Sequence, residues 1–404
     1  MTLETTKSES FYDRPNLTKG VIEIGAGIPF GMEPVSNPSV GIGGVYGTWG
    51  ESFSNDNLHF FIEERLGHPL PTEEKLNLSD LGFRSRHHIP LNLTPQEHAK
   101  LEIEVGAKFL SEAIKACNWN PSEVAGVLIG MSAPLSPDYL DQISRAAGIP
   151  DSALKVATHK ACDGSTSSLH LALNPTLPEN LQLNQNIAES LYGKKVLVGG
   201  IEGLSRFVGS SHDANALQLF GNAAGVVGVI PGKTMRFIAG KSHEAFDEDG
   251  VLQVQMYYPH SKQKADGYNV DVTEPSANNI RVAGLMHEPH DGSSIAMAGP
   301  MGMVKLFVRT GVQVVRDVYA AYQTRLEELG MAGKSFAVAI VHHANYKIVL
   351  PMPWLLSDFG NVSAASNMIA FLRELPKLQP LDHILIDGFG AGTYYDTLAV
   401  ELGG

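Results

Sequence analysis

Leu154-Lys155-Val156-Ala157-Thr158, then Ala161-Cys162-Asp163-Gly164-Ser165-Thr166, is the stretch whose reading settles the fold. Leu154 to Thr158 reads as a buried strand. Leu169, Ala172 and Leu173 follow at helical spacing, so a helix opens just past the cysteine. Such a strand-to-helix turn sets the Cys162 thiol against the helix's unpaired N–H groups and positive dipole end, which favour a thiolate. An ordinary thiol, with a pKa of about 8.5, is only a few per cent ionised at neutral pH, so this placement has a chemical use. An isolated cysteine is more often inert and buried. Cys117, on an apolar helix face, reads that way.

Outward from this turn, short apolar runs alternate with helical patterns. Val127-Leu128-Ile129, Val196-Leu197-Val198, Val226-Val227 and Phe336 to Val341 read as buried strands. Thr94-Pro95-Gln96-Glu97 is a capping box with proline at the first helical position. It opens a helix carrying Leu101, Val105, Leu110, Ile114 and Cys117 on one face. Alternating strands and helices predict α/β layering. Residues 1–19 read as a polar arm, 20–233 as an N-terminal half carrying Cys162, and 297–404 as a C-terminal half. Between the halves, 234–296 reads as a polar, irregular insertion of the kind that serves as a lid or binding loop.

The bulk numbers narrow the partners. With 404 residues the chain can bury a large core, and its net charge of −13 argues against nucleic acid or an anionic membrane as the main partner. Two cysteines build no disulfide framework. No signal peptide and no apolar run of about 18 residues is visible, so a cytoplasmic protein is expected.

Three further clusters follow apolar strands: His342-His343-Ala344-Asn345, Phe359-Gly360-Asn361-Val362-Ser363-Ala364-Ala365-Ser366, and Gly388-Phe389-Gly390-Ala391-Gly392. In an open α/β sheet, strand ends converge on a crevice. With the cysteine turn, these clusters resemble β-ketoacyl-acyl carrier protein synthase III and its relatives in the thiolase superfamily. That family carries an ACxG turn, then HQAN, GNTSAAS and GGGF-like motifs; this chain has ACDG, HHAN, GNVSAAS and GFGAG in the same order. Gly82-Phe83-Arg84-Ser85-Arg86 and Leu219-Phe220-Gly221-Asn222-Ala223-Ala224-Gly225 add to the match, which runs from about residue 20 to the C-terminus.

The resemblance implies a five-layered αβαβα sandwich of two similar halves, in a homodimer. It implies that Cys162 is the acylated nucleophile, and that His342 and Asn361 bind the malonyl thioester oxygen during decarboxylative condensation. Both side chains can donate a hydrogen bond to an enolate oxygen, provided the histidine is neutral. It further implies an oxyanion hole from the N–H groups of Cys162 and Ala391, and a carrier-protein docking role for Lys347, with no metal and no cofactor. The expected partner is an acyl carrier protein bearing acyl and malonyl thioesters, with coenzyme A thioesters as the other donor form.

Several positions depart from the family. His343 replaces the usual glutamine. Leu76 and Asp80 stand where coenzyme A-using members place an aromatic residue and an arginine. Met131 to Pro137 is shorter than the family's dimer-interface loop. These departures favour a carrier-bound donor and a member working in specialised metabolism. Two rival readings share the fold: an acyltransferase forming an ester or amide without decarboxylation, and an idle partner subunit that only binds acyl carriers. An intact Cys-His-Asn set argues against the idle subunit.

Other signals carry less. Ile24 to Gly31 imitates a dinucleotide fingerprint, but Pro29 breaks the helix that should follow. His287-Glu288-Pro289-His290 reads as a solvated loop rather than a zinc site. His87 and His88 read as surface residues, and Met297, Met301 and Met303 as fillers of core gaps.

Overall fold

The structure, a computed structural model, describes residues 18–22, 27–89, 93–132, 136–209, 211, 213–245, 247, 249–254, 270–284, 289–290, 293, 295–349 and 352–403. Two sheets repeat one strand order. At the centre of a nine-stranded sheet, Ile42–Trp49, Ala223–Val229, Lys195–Glu202 and Val124–Gly130 lie side by side, with two antiparallel junctions and then a parallel one. The four-stranded sheet repeats that order and those senses in Met235–Glu244, Tyr394–Leu402, His383–Gly390 and Phe336–Val341.

Side-chain alternation explains why these strands read as unbroken apolar runs. Leu128, Val198 and Val227 enter the core between the sheets, whereas Val127, Ile129, Leu197 and Val226 enter a second core on the opposite face. Successive side chains point to opposite faces, and here both faces are buried. Pro95–Ala116 covers that second core, capped by Thr94 through the Glu97 N–H (3.3 Å) and the reciprocal Thr94 N–H to Glu97 Oε2 bond (2.7 Å). The helices Gly164–Leu173 and Ser366–Glu374 lie between the sheets, touch strands of both, and are buried at every residue. Val312–Glu328 covers the outer face of the smaller sheet. The order is αβαβα, a thiolase-like sandwich.

The insertion is more regular than its composition suggests. Met235–Glu244 is a strand of the smaller sheet, paired with Tyr394–Leu402. Half-exposed positions along it account for its polar sequence. Val270–Ser276 and Asn279–Gly284 form a hairpin that extends the nine-stranded sheet beside Leu154–His159. At the other end, Thr18 and Lys19, expected in the arm, begin the strand Thr18–Ile22; residues 1–17 lie outside the described ones.

Candidate active site

Two turns of the same design face each other at the centre of the sandwich. Ala161-Cys162-Asp163 and Ser363-Ala364-Ala365 are single tight turns, each leading into one of the buried central helices. Each starts on a residue in the left-handed region, Ala161 at φ 45° and Ser363 at φ 46°. A side chain in that region is strained by about 1–3 kcal/mol, a cost the surroundings must over-determine. Below the cysteine turn, Lys160 Nζ meets Glu179 (2.7 Å) and Asp396 (3.2 Å), and Asp396 also meets His170 Nδ1 (2.6 Å), all buried. Gly390 presses on this turn so closely that a β-carbon would collide with the Lys160 carbonyl.

Cys162, His342, Asn361 and Ala391, singled out from the sequence, line one narrow cavity together with Ser132 and Ser363. His342 follows the strand Phe336–Val341, its N–H donating to the Asp387 carbonyl (3.0 Å) and its ring edge-on to Phe389 (4.8 Å). Asn361 is fixed by backbone pairing with Phe220 and by the Ser363 N–H donating to its Oδ1 (3.0 Å). That leaves the amide's donor end for another partner. The rest of the lining is mainly apolar, and the insertion supplies Leu252, Val254 and Ile295 to it. Lys347 lies apart, on the surface, in an ion pair with Asp80.

Burial controls the charges. It pushes the Cys162 thiol up to about 12, so in the free protein desolvation outweighs the helix terminus that the sequence suggested would favour a thiolate. Burial and the neighbouring His343 hold His342 down at about 3, a neutral imidazole at physiological pH. Its Nδ1 is buried with no hydrogen-bond partner among the described residues. His343, which replaces the family's glutamine, is held down at about 4 by burial. It packs on Trp354 and spans the carbonyls of Val341 (2.6 Å) and Pro353 (3.2 Å), a bracing rather than a reacting position. Asp163 is raised well above the usual carboxylate range by burial and by Asp396 nearby.

Sequence reasoning missed Ser132, Ser363 and Glu202. The Glu202 carboxylate is buried behind the cavity and accepts from the Ser132 N–H (3.0 Å), the Ser132 hydroxyl (2.7 Å) and the Ala364 N–H (3.1 Å). A carboxylate closing the apolar strand Lys195–Glu202 was the available signal. Two other expectations change. His87 and His88 are buried, not on the surface, because Ser85–His88 pairs with Glu51–Ser54 and His88 stacks on Phe61 (5.0 Å). Met297 and Met303 are core residues, but Met301 is 68% exposed. His287, Glu288 and part of the Met131 to Pro137 loop lie outside the described residues. Among the described residues no group of three or more His, Cys, Asp or Glu could hold a metal, and no helix is long and apolar enough to cross a membrane.

No protein-family profile matches the chain. It is 24% identical over 357 residues to β-ketoacyl-[acyl-carrier-protein] synthase III of Campylobacter jejuni, a match covering 85% of this chain and 96% of that one. The chain is β-ketoacyl synthase III-like. Solved structures agree on the fold. The 3-oxoacyl-[acyl-carrier-protein] synthase III of Aquifex aeolicus superposes with a TM-score of 0.55 at 18% identity, covering 95% of this chain and all of that one (100%). The type III polyketide synthase that makes 1,3,6,8-tetrahydroxynaphthalene in Streptomyces coelicolor superposes at 0.60 with 12% identity, covering 88% and 96%.

Proposed function

We propose that this β-ketoacyl synthase III-like condensing enzyme takes an acyl group onto Cys162 and condenses it with a malonyl-type thioester, releasing carbon dioxide. One observation carries the reading: Cys162, His342 and Asn361, from three separate segments, line a single cavity with mainly apolar walls. The thiolate attacks the donor thioester, and the N–H groups of Cys162 and Ala391 receive the oxyanion. In the second step the malonyl carboxylate leaves as carbon dioxide, and its electron pair becomes an enolate. A neutral His342 and the free amide donor of Asn361 can each give that oxygen one hydrogen bond, and burial keeps His342 neutral. The enolate carbon then attacks the Cys162 thioester and expels the thiolate.

The acyl and malonyl donors are thioesters of an acyl carrier protein, the substrate class printed in the name of the Campylobacter relative. The working form is a cytoplasmic homodimer acting in specialised metabolism. The test is intact-protein mass spectrometry with peptide mapping after incubation with a panel of acyl-carrier and acyl-coenzyme A donors. The expected result is one acyl mass on Cys162 and none on Cys117, which caps the helix Pro95–Ala116 and does not line the cavity. Acyl mass on Cys117, or none on Cys162 with any donor, sinks the mechanism. Stable acylation with no decarboxylation of any malonyl donor would replace condensation by simple acyl transfer.

A further inference from the structure

The acyl-transfer step needs the Cys162 proton to go somewhere, and the buried groups around the thiol offer two acceptors. His342 is the poorer one, held at about 3 by its burial. On the other side, Ser363 lines the cavity with Cys162 and lies close enough to that thiol and to Glu202 to lower both of their pKa values. Its hydroxyl lies 2.5 Å from the Ser132 hydroxyl, which donates to Glu202 Oε1 at 2.7 Å. Ser363, Ser132 and Glu202 therefore form a buried chain that leads away from the half-buried Cys162, with both hydroxyls on the cavity wall.

We propose that Ser363, aided by Ser132, relays the Cys162 proton to Glu202, and that Glu202 is the positioning residue that activates the nucleophile. The proposal rests on Cys162 being the acylated nucleophile. In the step, the Cys162 S–H bond breaks and its proton passes to the Ser363 oxygen. The Ser363 proton passes to Glu202, directly or through Ser132. One charge has moved from carboxylate to sulfur, leaving a thiolate and a neutral acid. When the thiolate attacks the donor thioester, the departing donor thiolate takes that proton back along the same hydroxyls, and Glu202 is again a carboxylate.

The charged and titratable groups facing Glu202 are consistent with a cycling proton. They are the Cys162 thiol, the Tyr139 phenol and the Arg206 guanidinium. Arg206 is already engaged by Glu102 at 2.7 Å, so it does not lock Glu202 as an anion. Desolvation raises Glu202 to about 7, against the hydrogen bonds from Ser132, Ala364 and Ser363, which lower it. A carboxylate near 7 is about half ionised at neutral pH, and accepts a proton far more readily than an ordinary one. The sign follows: below about 7 Glu202 already holds a proton and cannot accept another, so acylation slows as pH falls through that value.

The experiment follows Cys162 between pH 5.5 and 9.5 in wild type, Glu202→Gln, Ser363→Ala, Ser132→Ala and Ser363→Thr. It reads single-turnover acylation by an accepted donor, and alkylation by iodoacetamide, which needs no donor. Wild type should show an inflection near pH 7, superposed on the steady rise that direct ionisation of the Cys162 thiol gives at higher pH. Glu202→Gln and Ser363→Ala should lose that inflection and acylate ~10²-fold more slowly at pH 7; Ser363→Thr, which restores a hydroxyl, should keep both. An unmoved inflection in Glu202→Gln, or wild-type acylation by Ser363→Ala, overturns the relay. Should Glu202→Gln fail to fold, because the carboxylate also holds the Ala364 N–H, the serine variants decide, since they leave that bond in place. Should no donor acylate wild type, the proposed function fails on its own, and the iodoacetamide inflection still decides the coupling of Cys162 to Glu202.

Discussion

Burial drives Cys162 and His342 in opposite directions, the thiol up to about 12 and the imidazole down to about 3, because each loses its charged form. A neutral imidazole is what an enolate oxygen requires of a hydrogen-bond donor; a protonated thiol is the opposite of what acylation requires. The same environment therefore prepares the second step and obstructs the first, which is why a proton acceptor near the thiol matters. In the proposed mechanism Asn361 serves the second step alone. Asn361→Ala should slow malonyl decarboxylation by ~10²–10³, the usual cost of one oxyanion donor, while Cys162 acylation stays within a few-fold of wild type. The two rates are read separately, as carbon dioxide release and as acyl mass. Equal losses in both would remove Asn361 from the enolate. Cys162, His342 and Asn361 were legible because each stands in a short motif: Cys162 and His342 follow apolar strands, whereas Asn361, expected after one too, follows irregular chain and precedes a buried helix. Ser132 and Glu202 stand in no such motif, and only their contacts single them out.

At the scale of elements, the two central helices must approach a sheet closely enough to bring their leading turns together. Gly130 permits this on the cysteine side: a β-carbon there would overlap the backbone of Gly164 and Ser165, at the start of the helix Gly164–Leu173. Gly130→Ala should therefore lower stability by ~1–3 kcal/mol, the range for overpacking a tight interior, and displace the Cys162 turn. Urea unfolding measures the first and the rate of Cys162 alkylation the second. Wild-type values for both would mean that the helix does not sit so close to the strand. The helix starts and apolar strands were readable from spacing. The polar look of Met235–Glu244 hid a strand, because a half-exposed strand carries polar side chains just as a loop does.

At the scale of the molecule, the insertion and the surface decide what the cavity meets. Leu252, Val254 and Ile295 of the insertion line the cavity with Cys162, so these residues help to shape the proposed substrate site. Lys347, expected to dock a carrier, is paired with Asp80 on the surface. Reversing its charge would set two carboxylates together and repel an acidic carrier protein. Lys347→Glu should lower kcat/KM for a carrier-bound donor, most at low salt, and change little for the coenzyme A thioester of the same acyl group. Equal effects on both donors, or no salt dependence, would remove Lys347 from docking. What the sequence determined by itself was the alternation of strands and helices and the choice of Cys162, His342 and Asn361, which the fold gathers at one cavity, because spacing and residue type are local and each motif carries its own chemistry. What only the tertiary structure decided was the protonation of those residues, the Ser132–Ser363–Glu202 chain and the burial of His87 and His88. Desolvation and hydrogen bonding depend on which distant segments close over a side chain: Glu202 and Ser363 are 161 positions apart in the chain and meet only when the two halves do.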